Sequence, residues 1–335
     1  MKIRYMLLTL IVAGAVGAGA GWLLTEMEQA VGHLLHSRPT VSATPQQPQA
    51  TPATALSIPD STTQTPAPDS LRHATDTSKA ASLPDAPDEA FGEAALQRVV
   101  TRYASVRPQY WNDKQVKGAV VKVNAPQSGE RLLFLTFNAY TNDYPALFDL
   151  LAQRQIKATF FLSGVWVRRN AAQAQKIGRQ HSIFEIENHG NRNIPLSSRG
   201  AEAYQHAGTP TLERALRDAL DGRDAVEQAT GQKPRYIRPF LNYTDDVVVQ
   251  ALSDLQIKTV GATIFADGGG MSGSEKIKTN ILTAPHGSIL LFNVDAAYPN
   301  VLNGLQAAFE TIAETSLPLR FAFLSDYERY FEYGN

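Results

Sequence analysis

The chain has 335 residues, 43% of them hydrophobic, which is enough for a substantial core and excludes a collagen-like or wholly disordered polymer. Its 31 Lys and Arg face 32 Asp and Glu, so a net charge of -1 excludes nucleic-acid or anionic-membrane binding driven by global charge. The absence of cysteine excludes disulfides, thiolate nucleophiles and thiolate metal sites, and any metal must rest on His and carboxylates.

Residues 5–24 form an uncharged, mostly apolar run of the length a helix needs to cross a hydrocarbon core. Lys2 and Arg4 precede it while Glu26 and Glu28 follow, so the positive-inside bias predicts a single-pass anchor in the cytoplasmic (inner) membrane with the rest extracytoplasmic, or periplasmic. Ala18-Gly19-Ala20 also offers small residues at cleavage spacing, which leaves removal of the run as the open alternative. Residues 37–88 hold 9 of the 19 prolines among Ser, Thr, Ala and Gln without an apolar period, the signature of a disordered linker. The expected organisation is an anchor at 1–25, a juxtamembrane segment and linker at 26–88, an N-terminal extension at 89–130 and a folded domain at 131–335.

Past the linker a helix is predicted at 89–106 and a strand at 119–123. Strand-length apolar runs at 132–137, 158–162, 183–187, 235–238, 259–263, 288–293 and 320–324 then alternate with amphipathic stretches at 144–154, 170–180, 209–228, 245–255, 275–283 and 302–314. Thr209 is placed to cap the third of these helices, with Pro210 at its first position. Seven such units predict an α/β fold: a mainly parallel, closed or nearly closed barrel. An open doubly wound sheet is the alternative, but no Gly-rich phosphate loop follows the first strand, and Gly268-Gly269-Gly270 reads as a flexible loop.

Chemistry in such a fold belongs at the carboxyl ends of the strands. Those ends carry Thr136-Phe137-Asn138-Ala139, Glu187-Asn188-His189 through Asn193, Arg238-Pro239-Phe240, and Leu291-Phe292-Asn293. They are expected to converge.

Leu135-Thr136-Phe137, Lys157-Ala158-Thr159-Phe160-Phe161-Leu162-Ser163-Gly164 and Glu185-Ile186-Glu187-Asn188-His189 resemble the polysaccharide deacetylase family, also called the NodB-homology domain or carbohydrate esterase family four. Thr230-Gly231-Gln232-Lys233-Pro234, Arg238-Pro239, Gly287-Ser288-Ile289-Leu290-Leu291 and Leu324-Ser325-Asp326 continue the resemblance in order, from about residue 131 to 326. It implies a distorted (β/α)7 barrel, here preceded by the transmembrane helix and the disordered linker. It also implies a catalytic Asp followed by a metal-ligand Asp after the first strand, two metal-ligand His four residues apart, a general-acid His after the sixth strand, and an Arg paired with the catalytic Asp.

This chain departs from that pattern. The base and acid positions read Asn138 and Asn293, the metal positions read Ala139, His189 and Asn193, and only Arg238 stands unchanged beside His189. A carboxamide carries no charge and takes no proton near neutral pH, and one imidazole is too few for the three protein ligands a zinc hydrolase site usually needs. No cofactor or metal is expected. The expected function is that of a degenerate member, a pseudoenzyme that binds envelope or exported polysaccharide, peptidoglycan glycan included, or that scaffolds a protein partner. Asn138, His189, Asn193, Arg238 and Asn293 are the candidate ligand-binding residues, with Tyr140, Trp166 and Phe240 as aromatic faces for sugar rings. Further aromatic candidates are Tyr144, Tyr243, Phe265 and Tyr298. The alternative is an active hydrolase with an unorthodox site, for which Asp143, Asp267 and Asp295 are the spare carboxylates against their plainer reading as turn and cap residues.

Overall fold

A computed structural model describes residues 91–112 and 116–334. The predicted membrane helix at 5–24 and the linker at 37–88 lie outside the described residues, and among the described residues no helix is long and apolar enough to cross a membrane.

Eight strands form one sheet: β1 (Arg131–Ala139), β2 (Ala158–Leu162), β3 (Phe184–Asn188), β4 (Tyr236–Ile237), β5 (Lys258–Thr259), β6 (Ile264–Phe265), β7 (Ser288–Asn293) and β8 (Leu319–Phe321). Their order is β5-β4-β3-β2-β1-β7-β6, with β8 against the amino end of β1, and every ladder in the sheet is parallel. Both faces of such a sheet are covered, which is why β1, β2 and β7 are near-continuous apolar runs. Leu133, Leu135 and Phe137 face the outer helices, while Leu132 and Phe134 face an inner cluster with Phe161, Tyr236 and Ile289. Period-two alternation then assigns Thr136 and Asn138 to the inner face.

The sheet curls. Arg238, just past β4, donates to Thr136 and Asn138 on β1 although β3 and β2 lie between those strands in the order, a reach that only a strongly curved sheet permits. The curve is left open between β5 and β6, which share no ladder. The single strand predicted at 259–263 is thus two short ones, and residues 260–263 also bond the segment at 120–121, Val260 bridging to Val120 and Thr263 Oγ1 donating to the Val121 carbonyl. The strand Val120–Val123 pairs antiparallel with Phe331–Tyr333 and closes the amino end of the interior. The helix Glu93–Tyr103 packs into an apolar cluster with the helices Leu212–Thr230 and Asp246–Asp254.

One predicted boundary is corrected. Thr211, not Thr209, caps the helix Leu212–Thr230, its hydroxyl accepting from the Arg214 N–H at 3.2 Å. Thr209 is occupied elsewhere: its hydroxyl accepts from Ser197 N at 2.8 Å and donates to the Ser197 carbonyl. The helix Gly164–Arg169 is an addition to the predicted elements, too short for a periodic signal and started by Ser163, which accepts from Trp166 N at 3.1 Å.

Candidate functional site

The inner-face residues at the carboxyl ends converge as expected. Asn138 and Asn293 are directly paired in the β1–β7 register, and both are buried. Asn138 Oδ1 accepts from Arg238 Nη1 at 3.2 Å. The same guanidinium donates to Thr136 Oγ1 at 2.9 Å, to the Val260 carbonyl at 3.2 Å and to the Gly261 carbonyl at 2.7 Å, and its carbon lies 4.2 Å from the Phe161 ring centroid. All of these acceptors are neutral. The nearby carboxylates are bonded elsewhere: Glu187 accepts from the backbone N–H groups of Arg235 and Tyr236, and Asp143 from that of Tyr144. Complete burial without an anion brings the Arg238 pKa down to about 9.

His189 sits beside this cation in a loop shaped from below. Gly190 has a φ of 78°, its N–H bonds Asn188 Oδ1 at 2.8 Å, and Asp218 on the helix Leu212–Thr230 accepts from Asn191 N and Arg192 Nε. Asn188 and Asn191 are spent on this scaffold, donating to the Ala219 carbonyl and accepting from Arg168 respectively, and do not join the site. His189 itself is 1% exposed, lies near the rings of Tyr140 and Phe240, and has among the described residues no hydrogen-bond partner at either ring nitrogen. Burial first, and the Arg238 charge second, hold its pKa down to about 3, so the imidazole is neutral. Asn193, in left-handed backbone at φ 56°, donates from Nδ2 to the Tyr140 carbonyl, while its buried Oδ1 lacks a partner among the described residues.

The spare carboxylates do structural work. Asp267 takes the backbone and side-chain N–H groups of Asn293 at 2.7 and 2.9 Å and the Gly269 N–H at 3.0 Å, organising the glycine turn read from the sequence as a flexible loop. Burial pushes its carboxyl up, and these hydrogen bonds pull the other way. Asp295 accepts from Asn142 Nδ2 and Ala297 N.

The donor set does not fit the divalent ion that the resemblance implies. Ala139 brings no donor and packs in the outer apolar cluster, Asn193 offers a neutral amide oxygen, and His189 is one imidazole. Zinc sites are built from three or four His, carboxylate or thiolate ligands, and among the described residues no three His, Asp or Glu are grouped to supply them.

Of the aromatic candidates, Tyr140 and Phe240 meet edge to face at 5.8 Å over His189, and burial pushes the Tyr140 hydroxyl pKa up. Trp166 is corrected: it is fully buried in the outer core, and its indole N–H is bound to the Asn142 carbonyl at 2.8 Å, so it faces no ligand. Tyr144 is likewise core, and Tyr298 packs over Gly270. Sequence reasoning placed Thr136 at the strand end without assigning it to the site, and it missed the carbonyls of Val260 and Gly261, for which the strand pattern carries no signal. It also missed Trp111, Tyr204 and His206, whose rings adjoin Tyr243 and Phe240.

Residues 125–260 match the family model described as polysaccharide deacetylase, spanning β1 to β5 and the Asn138, His189 and Arg238 positions. The domain is similar to the polysaccharide deacetylase family over this segment. Its curated relatives include the uncharacterized protein YlxY of Bacillus subtilis, 26% identical over 192 residues that cover 56% of this chain and 55% of that one. They also include the peptidoglycan-N-acetylmuramic acid deacetylase PdaA of Bacillus subtilis, 27% identical over 154 residues, 44% of this chain and 53% of that one. The chain thus spans about half the length of the curated relatives it matches. The solved structure of Bacillus subtilis PdaA, a family 4 carbohydrate esterase, superposes with a TM-score of 0.50 at 18% identity over 70% of this chain and 89% of that one, a likeness of fold.

Proposed function

We propose that this deacetylase-like barrel binds polysaccharide at the carboxyl ends of its strands without deacetylating it, tethered outside the cytoplasmic membrane by residues 5–24. The observation that carries the reading is the pairing of Asn138 with Arg238, an amide standing where hydrolysis needs a carboxylate base. Asn293 takes no proton either, and its amide N–H is held by Asp267. One acid–base group typically contributes ~10²–10⁴-fold, so loss of base, acid and metal together leaves no useful turnover. What stays is a floor of carboxamides and a neutral imidazole under aromatic rings, the mixture of oriented polar groups and apolar faces that suits sugars. The naming of one relative as a peptidoglycan deacetylase supports a glycan as the partner.

The test uses the full chain in detergent, with zinc analysis, acetate release from N-acetylated oligosaccharides, and co-sedimentation with peptidoglycan sacculi. Co-sedimentation without stoichiometric zinc or acetate is the expected result. Bound zinc with turnover overturns it in favour of an active hydrolase. In fractionated cells the chain is expected in the membrane pellet, released by detergent, and recovery in the soluble fraction overturns the tether.

A further inference from the structure

The strands Glu202–Ala203 and His206–Ala207 are joined by a two-residue turn whose central residues, Tyr204 and Gln205, both lie in left-handed backbone at φ 47° and 63°. Two-residue hairpins of this kind favour Asn-Gly, because a bulky side chain is strained there. Tyr204 is also 69% exposed, so burial does not offset the strain. Strain of this kind persists only where the surroundings impose it, and it gathers at functional sites. The base of the hairpin is clamped accordingly. Beyond the Thr209–Ser197 exchange, Ser197 Oγ accepts from Arg199 N and Ala201 N at 3.1 and 3.0 Å, and Gly208 N donates to the Ala201 carbonyl at 3.0 Å.

The turn lifts Tyr204 onto an aromatic surface. Its ring stands edge-on to Tyr243 at 5.5 Å, Tyr243 lies 5.5 Å from Trp111 at a tilt of 54°, and Trp111 Nε1 is fixed to the Glu202 carbonyl at 2.9 Å. Tyr110, next in the chain, is 48% exposed. Toward the barrel, His206 meets the Phe240 ring at 5.4 Å, and Phe240 meets His189 at 6.2 Å. The rings therefore run from the hairpin tip to the strand-end floor.

We propose that Tyr204, Tyr243 and Trp111 form a stacking platform for the pyranose rings of a polysaccharide whose chain continues over Phe240 toward His189. Flat rings with polar tips suit the C–H faces of a sugar while its hydroxyls stay in water, and the clamped turn presents Tyr204 with little freedom left to lose. The assignment rests on the glycan-binding reading and gives it a second subsite.

The test titrates the full chain in detergent with N-acetylglucosamine oligomers, following Trp111 fluorescence and retention on peptidoglycan sacculi. Tyr204→Gly is expected to raise the thermal midpoint, by releasing the backbone, while weakening saccharide binding about 3–10-fold, the range for loss of one aromatic contact. Tyr204→Phe is expected to bind as wild type, and Trp111→Phe to abolish the fluorescence response. If Tyr204→Gly binds saccharide undiminished while Phe240→Ala does not, the platform is overturned and the strand-end reading stands. If the unaltered chain binds neither probe, both fall. A lower midpoint for Tyr204→Gly makes Tyr204 a packing residue and also overturns the platform, as does loss of a protein partner with saccharide binding unchanged.

Discussion

Replacing His189 with phenylalanine is expected to leave the domain at least as stable at neutral pH and to remove most of its sensitivity to acid. The ring contacts with Tyr140 and Phe240 are available to a phenyl group, and no side-chain hydrogen bond within the described residues is lost because neither imidazole nitrogen has a partner among them. Leaving buried polar atoms unpaired costs about 1–3 kcal/mol per group, a penalty that phenylalanine does not carry. The pH dependence has a definite sign. With its folded pKa held down to about 3, His189 contributes stability that is fully present above its unfolded value near 6.5 and is lost as the pH falls through about 3. A gap of that size corresponds to about 4–5 kcal/mol over the whole window. Glu185 and Glu187 act in the opposite direction, since burial pushes both carboxyls up and their contribution, full below pH 4.5, is lost as the pH rises. Urea unfolding from pH 4 to 8 is therefore expected to show stability rising with pH in the unaltered protein and level or falling in His189→Phe. A large loss of stability at neutral pH in the variant, together with stabilisation of the unaltered protein but not the variant by added zinc, would show instead that His189 holds a metal.

The parts of the fold that were legible in the sequence are those governed by burial alone. The apolar runs at 158–162 and 288–293 match β2 and β7 residue for residue, because a strand covered on both faces leaves no polar position to blur its ends. The run at 259–263 looked the same but is split, since its middle residues pair with the segment at 120–121, a non-local contact that no window of sequence contains. The site followed the same rule. Period two and strand ends placed Asn138, His189, Arg238 and Asn293 together, whereas the fate of each polar group depended on partners distant in sequence, 26 residues for Asn293 with Asp267 and 102 for Thr136 beneath Arg238. Trp166 misled because a strand-end aromatic looks identical in sequence whether it faces a cleft or the outer helices. Tyr204 carried no signal because Ala203-Tyr204-Gln205-His206 has none of the glycine or asparagine that marks a tight hairpin.

The uncompensated charge of Arg238 leads to a pair of expectations with opposite signs. Arg238→Met removes a buried cation but takes the donor from Asn138 Oδ1 and from the carbonyls of Val260 and Gly261, while Thr136 Oγ1 is left with its bond to the Leu290 carbonyl. Orphaned buried acceptors cost about 1–3 kcal/mol each, partly offset by relief of the desolvated charge, so a net loss of about 3–5 kcal/mol is expected in urea unfolding. Asn138→Asp should do the reverse. It keeps the shape of the side chain and turns a neutral acceptor at 3.2 Å from Nη1 into a charge-assisted one, and hydrogen bonds of that kind exceed neutral ones by about 1 kcal/mol. The gain should be present at neutral pH and disappear in acid as the new carboxylate takes a proton, and it should vanish in the Arg238→Met background, since a double-mutant cycle isolates the pair. Were Asn138→Asp destabilising at pH 7 in the presence of Arg238, the guanidinium charge would already be balanced, and the view of this barrel as one that lost its carboxylate while keeping the cation would fail.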